Sequence, residues 1–191
     1  MSMHLHRRDY TYSEYLTWPD GERLEIIDGD LYAMTPAPSK LHQIILGNLH
    51  LMFGNYLKNK KCKTFLPPFD VRLAKPGESD KETSTVVQPD LSIICDPDKL
   101  DDRGCKGAPD LIVEIISPGS LKLDLTVKKR LYERFGVREY WIVYPQEGIV
   151  MIHELDEHGV YTDGETYDRE ASIPVRIFQG FTVAAAELFA Q

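Results

Sequence analysis

The chain has 191 residues, of which 42% are hydrophobic and 27% charged, a composition typical of a folded globular protein rather than a disordered one. A formal net charge of −8 and a pI near 5.2 exclude a uniformly cationic protein that coats nucleic acid. No apolar run approaches the ~20 residues that span a bilayer, and the first ten residues lack the apolar core of a signal peptide. We therefore expect a cytoplasmic protein without a membrane segment.

Local signals predict one domain over 1–191, with an N-terminal lead-in and hairpin (1–38), a core (39–145) and a C-terminal extension (146–191). A short helix is predicted within residues 12–18, and Asp28-Gly29 between two alternating runs predicts a hairpin. Apolar residues recur at helical spacing over 40–57, after Ser39 as a cap. Pro67-Pro68 restricts residues 64–73 to an edge, a bulge or two short strands.

The centre of the prediction is a strand–helix–strand unit over 111–144. Residues 111–116 have the apolar character of a strand covered on both faces, 124–135 that of a helix capped by Asp124, and 140–144 that of a second strand. Two strands joined through one helix run parallel. With a further strand at 91–95, this predicts an α/β fold whose mixed central sheet is flanked by helices.

Beyond residue 145, the sequence predicts β additions: a hairpin of 149–155 with 160–161, a short piece at 173–177, and a helix over 183–189 capped by Thr182. The three cysteines have neither zinc-ligand spacing nor the pattern of a disulfide framework. We predict that Cys62, Cys95 and Cys105 are reduced, partly buried thiols.

Two carboxylates are candidates for chemistry. Glu114 lies inside the apolar run, where an ionised carboxylate must be neutral, paired or holding a cation. Asp90 precedes the strand at 91–95, so the two side chains converge if these strands are neighbours, which is what a hard divalent cation requires. Asp110 would lie about 13 Å from Glu114 along the strand, too far to share a metal, and its simplest role is a hydrogen bond to the turn after Gly107.

Cationic and polar candidates follow from helix geometry. Lys128 falls just past the apolar stripe of the predicted 124–135 helix, beside Tyr132, so it points closest to the sheet, although snorkelling at the border is an alternative. By themselves, Glu25 resembles a surface residue of the hairpin, His42 an ordinary histidine at a helix start, and Ser117 part of the strand's exit turn.

These motifs together resemble the Uma2 family, a branch of the PD-(D/E)xK nuclease superfamily. The matching features are Glu25 with the Asp28-Gly29 hairpin, Pro-x-Pro-Ser before the helix with His42, Gln88-Pro89-Asp90, the Gly107–Pro118 run with Glu114, Asp124-x-x-x-Lys128-x-x-x-Tyr132, and the Gly136–Pro145 run. They occur in order over roughly residues 10 to 190.

The resemblance implies a restriction-endonuclease-like core that hydrolyses DNA with Mg²⁺ or Mn²⁺. It implies that Asp90 and Glu114 hold the metal, with the backbone carbonyl of Ile115 as a further ligand. The superfamily places a lysine two residues after the second acid, where this chain has Ile116, and Lys128 is the expected substitute. Glu25 and His42 would line the site, with Asp110, Ser117 and Tyr132 near the substrate or behind the catalytic groups.

Two other functional hypotheses remain open from the sequence. The missing lysine at 116 and the charge of −8 favour a nuclease-like module that has lost cleavage and binds nucleic acid or a protein. Alternatively, Asp90, Glu114 and Lys128 form a buried ionic cluster without metal or substrate. We also expect a homodimer, because cutting both strands needs two sites, with 149–152 and Leu188-Phe189 as apolar surface at its interface.

Overall fold

The computed structural model describes residues 4–7, 9–19, 23–34 and 38–191. The strands are β1 (His4–Arg7), β2 (Leu24–Ile27), β3 (Asp30–Ala33), β4 (Lys63–Phe65), β5 (Asp70–Arg72), β6 (Val86–Val87), β7 (Leu91–Ile94), β8 (Leu100–Asp101), β9 (Gly104–Lys106), β10 (Leu111–Ile115), β11 (Glu139–Tyr144), β12 (Ile149–Glu154), β13 (Glu165–Tyr167), β14 (Ser172–Pro174) and β15 (Thr182–Ala184). The helices are α1 (Tyr12–Tyr15), α2 (Lys40–Leu57), α3 (Lys129–Phe135) and α4 (Ala185–Leu188), with a π-helical segment at Leu123–Lys128.

The central sheet is mixed and has the strand order β13-β12-β11-β10-β7-β4 within the described residues. The predicted parallel pair is confirmed: β10 and β11 align from Leu111 opposite Glu139 to Ile115 opposite Val143. The segment that connects them carries the π-helical stretch and α3. On its other side β10 pairs antiparallel with β7, so the two strands predicted to carry the acidic residues are neighbours. The predicted α/β class, with mixed sheets flanked by helices, is therefore confirmed.

Strand alternation sends the two faces of this sheet to different cores. Leu111, Val113 and Ile115 pack with α2, whose N-terminus is capped by Ser39 Oγ, which accepts a hydrogen bond from His42 N at 3.2 Å. Ile112 packs on the opposite face, against residues of α3 such as Leu131. Glu114, between Val113 and Ile115, therefore points toward the α3 side.

The hairpin of β2 and β3 belongs to a second sheet, of order β1-β3-β2-β6-β5-β9-β8. Asp28 and Gly29 have φ values of 52° and 83°, which suit a tight two-residue hairpin turn. Ile27 packs in the same apolar cluster as α3, while Ile26 faces a smaller cluster with Tyr12. Glu25 lies on the same face of β2 as Ile27, so its side chain points from the second sheet toward the central sheet. The region around Pro67-Pro68 forms two short strands, β4 and β5, which is one of the three alternatives predicted for it.

The C-terminal extension differs from its prediction. β12 pairs with β11 in the central sheet, and its Val150 and Ile152 are buried in the α2-side core. Leu188 and Phe189 are buried in the same core. The prediction that these residues form an exposed apolar surface at a dimer interface was therefore wrong, because their side chains complete the core. Thr182 starts β15 instead of capping a helix, and the helix is only α4.

Two of the three cysteines also differ from their prediction, because Cys62 and Cys95 form a disulfide. Antiparallel pairing places Lys63 of β4 opposite Ile94 of β7, so the flanking cysteines meet although 33 positions separate them. Cys105 is a free, buried thiol, as expected. Among the described helices, none combines the length and apolarity needed to cross a membrane.

Candidate active site

The first acidic residue is held where the central sheet meets α2. Asp90 directly precedes β7, and its Oδ2 accepts a hydrogen bond of 2.8 Å from Ile115 N of the neighbouring β10. The same oxygen lies 3.2 Å from His42 Nε2 in the first turn of α2. Asp90 is thus oriented by a backbone amide and an imidazole, from two different elements.

The second group of charges meets on the α3 face of β10. Lys128 Nζ donates to Glu114 Oε1 at 3.0 Å and to Glu25 Oε1 at 2.9 Å. The three side chains are only 6%, 6% and 3% exposed. Tyr132, one helical turn after Lys128, donates its hydroxyl to Glu114 Oε1 at 2.8 Å. Gln88 N donates to Glu25 Oε1 at 2.9 Å and ties the hairpin to this site.

The helix that carries Lys128 is not the regular α-helix that was predicted. It has helical geometry from residue 121, runs as a π-helix over Leu123–Lys128 and continues as α3. Asp124 is therefore inside the helix instead of capping it, is buried, and lies 3.9 Å from Lys128 Nζ. A π-helical turn holds an extra residue and rotates the side chains that follow, which is common at functional sites. Tyr140 donates its hydroxyl to the Asp124 carbonyl at 3.2 Å.

This cluster carries more negative than positive charge. Three buried carboxylates, Glu25, Glu114 and Asp124, surround the single ammonium of Lys128. Burial and the neighbouring carboxylates raise the pKa of Glu114 well above its usual value, against the opposing effect of Lys128. Burial likewise raises the pKa of Asp124 to about 6. Burial alone would lower the pKa of Lys128, but Glu114, Glu25 and Asp124 outweigh it and hold that pKa well above the usual value. Lys128 is therefore charged at neutral pH.

The buried carboxylates, Lys128 and the Asp90–His42 pair line one cleft of about 1160 Å³. Of the site residues predicted from the sequence, those that line it are Glu25, His42, Asp90, Glu114, Ile115, Ser117 and Lys128. Tyr132 supports Glu114 from behind. Asp110 does not line the cleft: its Oδ2 accepts from Cys95 N at 2.8 Å, and Oδ1 lies 3.4 Å from Arg138 Nη1. Its hydrogen bond thus goes to the end of β7 and not to the turn after Gly107.

One known family matches most of the chain. The Uma2 family, described as "Putative restriction endonuclease", matches residues 12–186, which include every element that lines the cleft. The chain belongs to the Uma2 family. The uncharacterized protein slr1290 of Synechocystis is 27% identical over 154 residues, which are 80% of this chain and 75% of that protein.

A solved structure supports the fold of this Uma2 protein. The crystal structure of a "putative nuclease belonging to DUF820" from Anabaena variabilis superposes with a TM-score of 0.74 at 21% identity. The superposition covers 94% of this chain and 97% of the other. At this identity the comparison establishes a shared fold.

Sequence reasoning gave no site role to two residues beside the acidic cluster, Asp124 and Gln88, which both line the Uma2 cleft. Asp124 was interpreted as a helix cap, although its spacing of four from Lys128 is the signal of an ion pair on one helix face. Gln88 was recognised only as part of the segment before Asp90. In the structure its backbone contacts Glu25, and its side chain donates to Tyr15 OH at 3.0 Å and to Asp70 Oδ1 at 2.9 Å.

The donor set suits a hard divalent cation. Within the described residues, hydrogen bonds to Asp90 use Oδ2 and those to Glu114 use Oε1, which leaves the second oxygen of each carboxylate as a ligand. No group of three or more histidine, cysteine or acidic side chains has metal-site geometry in the part of the chain that the structure describes. Mg²⁺ commonly binds through one or two carboxylates together with water and substrate phosphate. The excess negative charge of the cluster favours such a cation as well.

Proposed function

We propose that this Uma2 protein is a DNA endonuclease that hydrolyses phosphodiester bonds with Mg²⁺ or Mn²⁺. The observation that carries the proposal is the convergence of Glu25, Asp90, Glu114 and Lys128 on one cleft, from two sheets and a helix. Oxygen ligands beside a fixed cation are the components that phosphodiester hydrolysis requires.

In the proposed mechanism, Asp90, Glu114 and the Ile115 carbonyl would hold the metal. When bound, such an ion lowers the pKa of water and neutralises charge on the phosphate. His42 and the Ile115 amide fix the orientation of Asp90, and Tyr132 fixes that of Glu114. The superfamily has a lysine two residues after the second acid, and in this proposal Lys128 takes its role. The Lys128 ammonium stabilises the negative charge that develops on the phosphate.

The buried arrangement of Lys128 explains how Ile116 is accommodated. Ile116 belongs to the apolar cluster on the α3 side, and the ammonium reaches Glu114 from the helix instead of from the strand. The rival hypothesis, a module that binds without cleavage, retains the net charge of −8 in its favour. A purely structural ion cluster is disfavoured, because burying Glu25, Glu114 and Asp124 around one lysine stabilises a fold less well than apolar packing does.

The deciding experiment incubates supercoiled plasmid with Mn²⁺ and the wild type, Asp90→Ala or Glu114→Gln. Nicking by the wild type and its loss in both variants is the expected result. Glu157→Gln is the matched control, because its side chain is 87% exposed and a change there leaves the cleft intact. Equal nicking by all four proteins would indicate contamination and contradict the assignment. Absence of nicking by every protein, with retained Mn²⁺ binding in calorimetry, would support the binding module.

A homodimer and a cytoplasmic location are further parts of this proposal. Two clefts per particle would allow both strands to be cut, and twofold dimers are the commonest oligomers. Light scattering at micromolar concentration tests this, and a mass of 21.9 kDa at every concentration would contradict it. Reducing compartments disfavour disulfides. Trapping of free thiols at cell lysis therefore tests the location: in the cytoplasm we expect Cys62 and Cys95 to be reduced and labelled.

A further inference from the structure

One wall of the cleft is aromatic, and the mechanism above does not use it. Tyr15 and Trp18, at the end of α1 and just beyond it, line the cleft and are half-buried. Leu16 between them is 43% exposed and lines the cleft as well. The inner face of this segment packs on a small core with Tyr12, which is completely buried. Core packing thus accounts for Tyr12, but it leaves part of Tyr15 and Trp18 open to the cleft.

The two rings are held rigidly. Trp18 packs edge-to-face on Tyr15, with centroids 5.2 Å apart, and on Tyr10, at 5.8 Å. Tyr15 stacks on Tyr12 at 5.8 Å and donates its hydroxyl to Asp70 Oδ1 at 3.3 Å, while accepting from Gln88 Nε2. An aromatic surface that is fixed before binding loses little conformational entropy when a ligand stacks on it.

This wall lies close to the proposed chemistry. Gln88 contacts Glu25 through its backbone amide and Tyr15 through its side chain. An extended glutamine spans roughly 6 Å from N to Nε2, so the Tyr15 hydroxyl lies at most about 12 Å from the Glu25 carboxylate. A DNA strand with a phosphate at the acidic cluster can therefore bring a nearby base to the Tyr15 end of the aromatic wall.

The charges of the cleft indicate which form of nucleic acid it fits. Five carboxylates line it, whereas Arg23 and Arg103 at its edge are the exposed cationic residues among its described lining. Attraction to phosphates, which dominates the binding of duplex DNA, is therefore weak here. Base stacking on aromatic side chains contributes affinity without that attraction, and it requires a base whose face is not covered by its neighbours.

We propose that Tyr15 and Trp18 form a nucleobase subsite, and that the substrate is DNA with an unpaired base beside the scissile phosphodiester, as in a single strand. This inference rests on the proposed function for the position of the phosphate. The base stacks on the Trp18–Tyr15 surface, and Gln88 and Asp70 hold Tyr15 in place. Duplex DNA, whose bases are stacked on each other, binds more weakly.

Tryptophan fluorescence provides a direct test, because the chain has two tryptophans and the other, Trp141, is completely buried. Oligothymidylate is titrated in the presence of Ca²⁺, and the oligonucleotide is checked afterwards to be intact. A chain of abasic spacers of the same length and a duplex are titrated in parallel. We expect oligothymidylate to quench the emission and to bind more tightly than either comparison ligand.

Variants separate stacking from other contacts. The affinities of the variants are measured by calorimetry, because replacing Trp18 removes the fluorescent reporter. Trp18→Ala should weaken oligothymidylate binding roughly five- to a hundred-fold, the loss that corresponds to one stacked base, and leave the weak binding of the abasic chain unchanged. Trp18→Phe keeps a ring and should retain most of the affinity, which excludes a folding defect as the cause. Leu51→Ala is the control, because Leu51 is 62% exposed and lies outside the cleft.

Equal binding of oligothymidylate and the abasic chain, tighter binding of the duplex, or absence of quenching on saturation would each overturn the subsite. These results are independent of cleavage. If the plasmid assay fails while base-dependent binding persists, only the endonuclease assignment is lost. If cleavage depends on Asp90 and Glu114 while binding ignores the base, only the subsite is lost.

Discussion

Replacing Lys128 with methionine tests the charge balance of the cleft most directly. Methionine has a similar length and no charge, so the substitution removes the ammonium that donates to Glu25 and Glu114 at 2.9 and 3.0 Å. Breaking a buried ion pair by removing one partner costs about 3–5 kcal/mol, because the remaining charge stays uncompensated. A loss of this size is a large fraction of the roughly 5–15 kcal/mol that stabilises a typical domain.

The size of the loss should depend on pH, with a definite sign. The pKa of Asp124 is raised from 3.8 to about 6 in the folded protein, and that of Glu114 is raised well above 4.5. A carboxyl group whose pKa is raised on folding stabilises the protein below its unfolded pKa, and this contribution is lost as the pH rises through the folded pKa. Lys128 opposes both shifts, so Lys128→Met raises the two pKa values further. The deficit of the variant is therefore largest above pH ~7 and shrinks toward pH ~5.

Urea unfolding at about pH 8 and about pH 5 measures this difference. Lys122→Met is the matched control, because Lys122 is exposed at the start of the same helical segment and its loss should change stability by no more than about 0.5 kcal/mol. A Lys128→Met protein that is as stable as the Lys122→Met protein at pH ~8 would refute the reasoning. So would a deficit that grows on acidification.

Three further predictions concern single contacts. Tyr132→Phe removes the hydroxyl that donates to the buried Glu114 and should cost about 1.5–3 kcal/mol in urea unfolding; an unchanged midpoint would mean that the hydrogen bond is dispensable. Cys62→Ala removes the disulfide, whose cysteines are 33 positions apart, and should lower the free energy of unfolding by about 3–4 kcal/mol under non-reducing conditions. With a thiol reductant the wild type loses the disulfide as well, so the two proteins should then be equally stable. The pKa of Asp101 is lowered to about 2, because hydrogen bonding to Arg72 outweighs the effect of burial. The ionised Asp101 carboxylate therefore contributes about 1 kcal/mol to the free energy of unfolding above pH 3.8, and this contribution is lost as the pH falls toward 2. In acid titrations followed by circular dichroism, Asp101→Asn should be less stable than the wild type, and this difference in stability should shrink below pH ~4. A difference that stays constant with pH would contradict the assignment.

The sequence by itself determined the elements whose signals are local. The Asp28-Gly29 turn, the Ser39 cap with its helical periodicity, and the apolar strand around Glu114 predicted β2–β3, α2 and β10, because turn chemistry, capping and periodicity act over a few residues. The parallel pairing of β10 and β11 also followed, since a single helical connection permits little else. A regular helical wheel also predicted that Lys128 faces the sheet, although the segment that carries it is a π-helix in the structure.

Only the tertiary structure decided which distant residues meet. Glu25 has the local pattern of a surface hairpin residue, and it is buried because a second sheet packs against α3. The Cys62–Cys95 bond follows from the β4–β7 register, and the burial of Leu188 follows from the chain's return onto α2. The role of Asp124 depends on a π-helical turn that periodicity does not encode. In each case the deciding energy comes from contacts between segments far apart in sequence, which local patterns do not report.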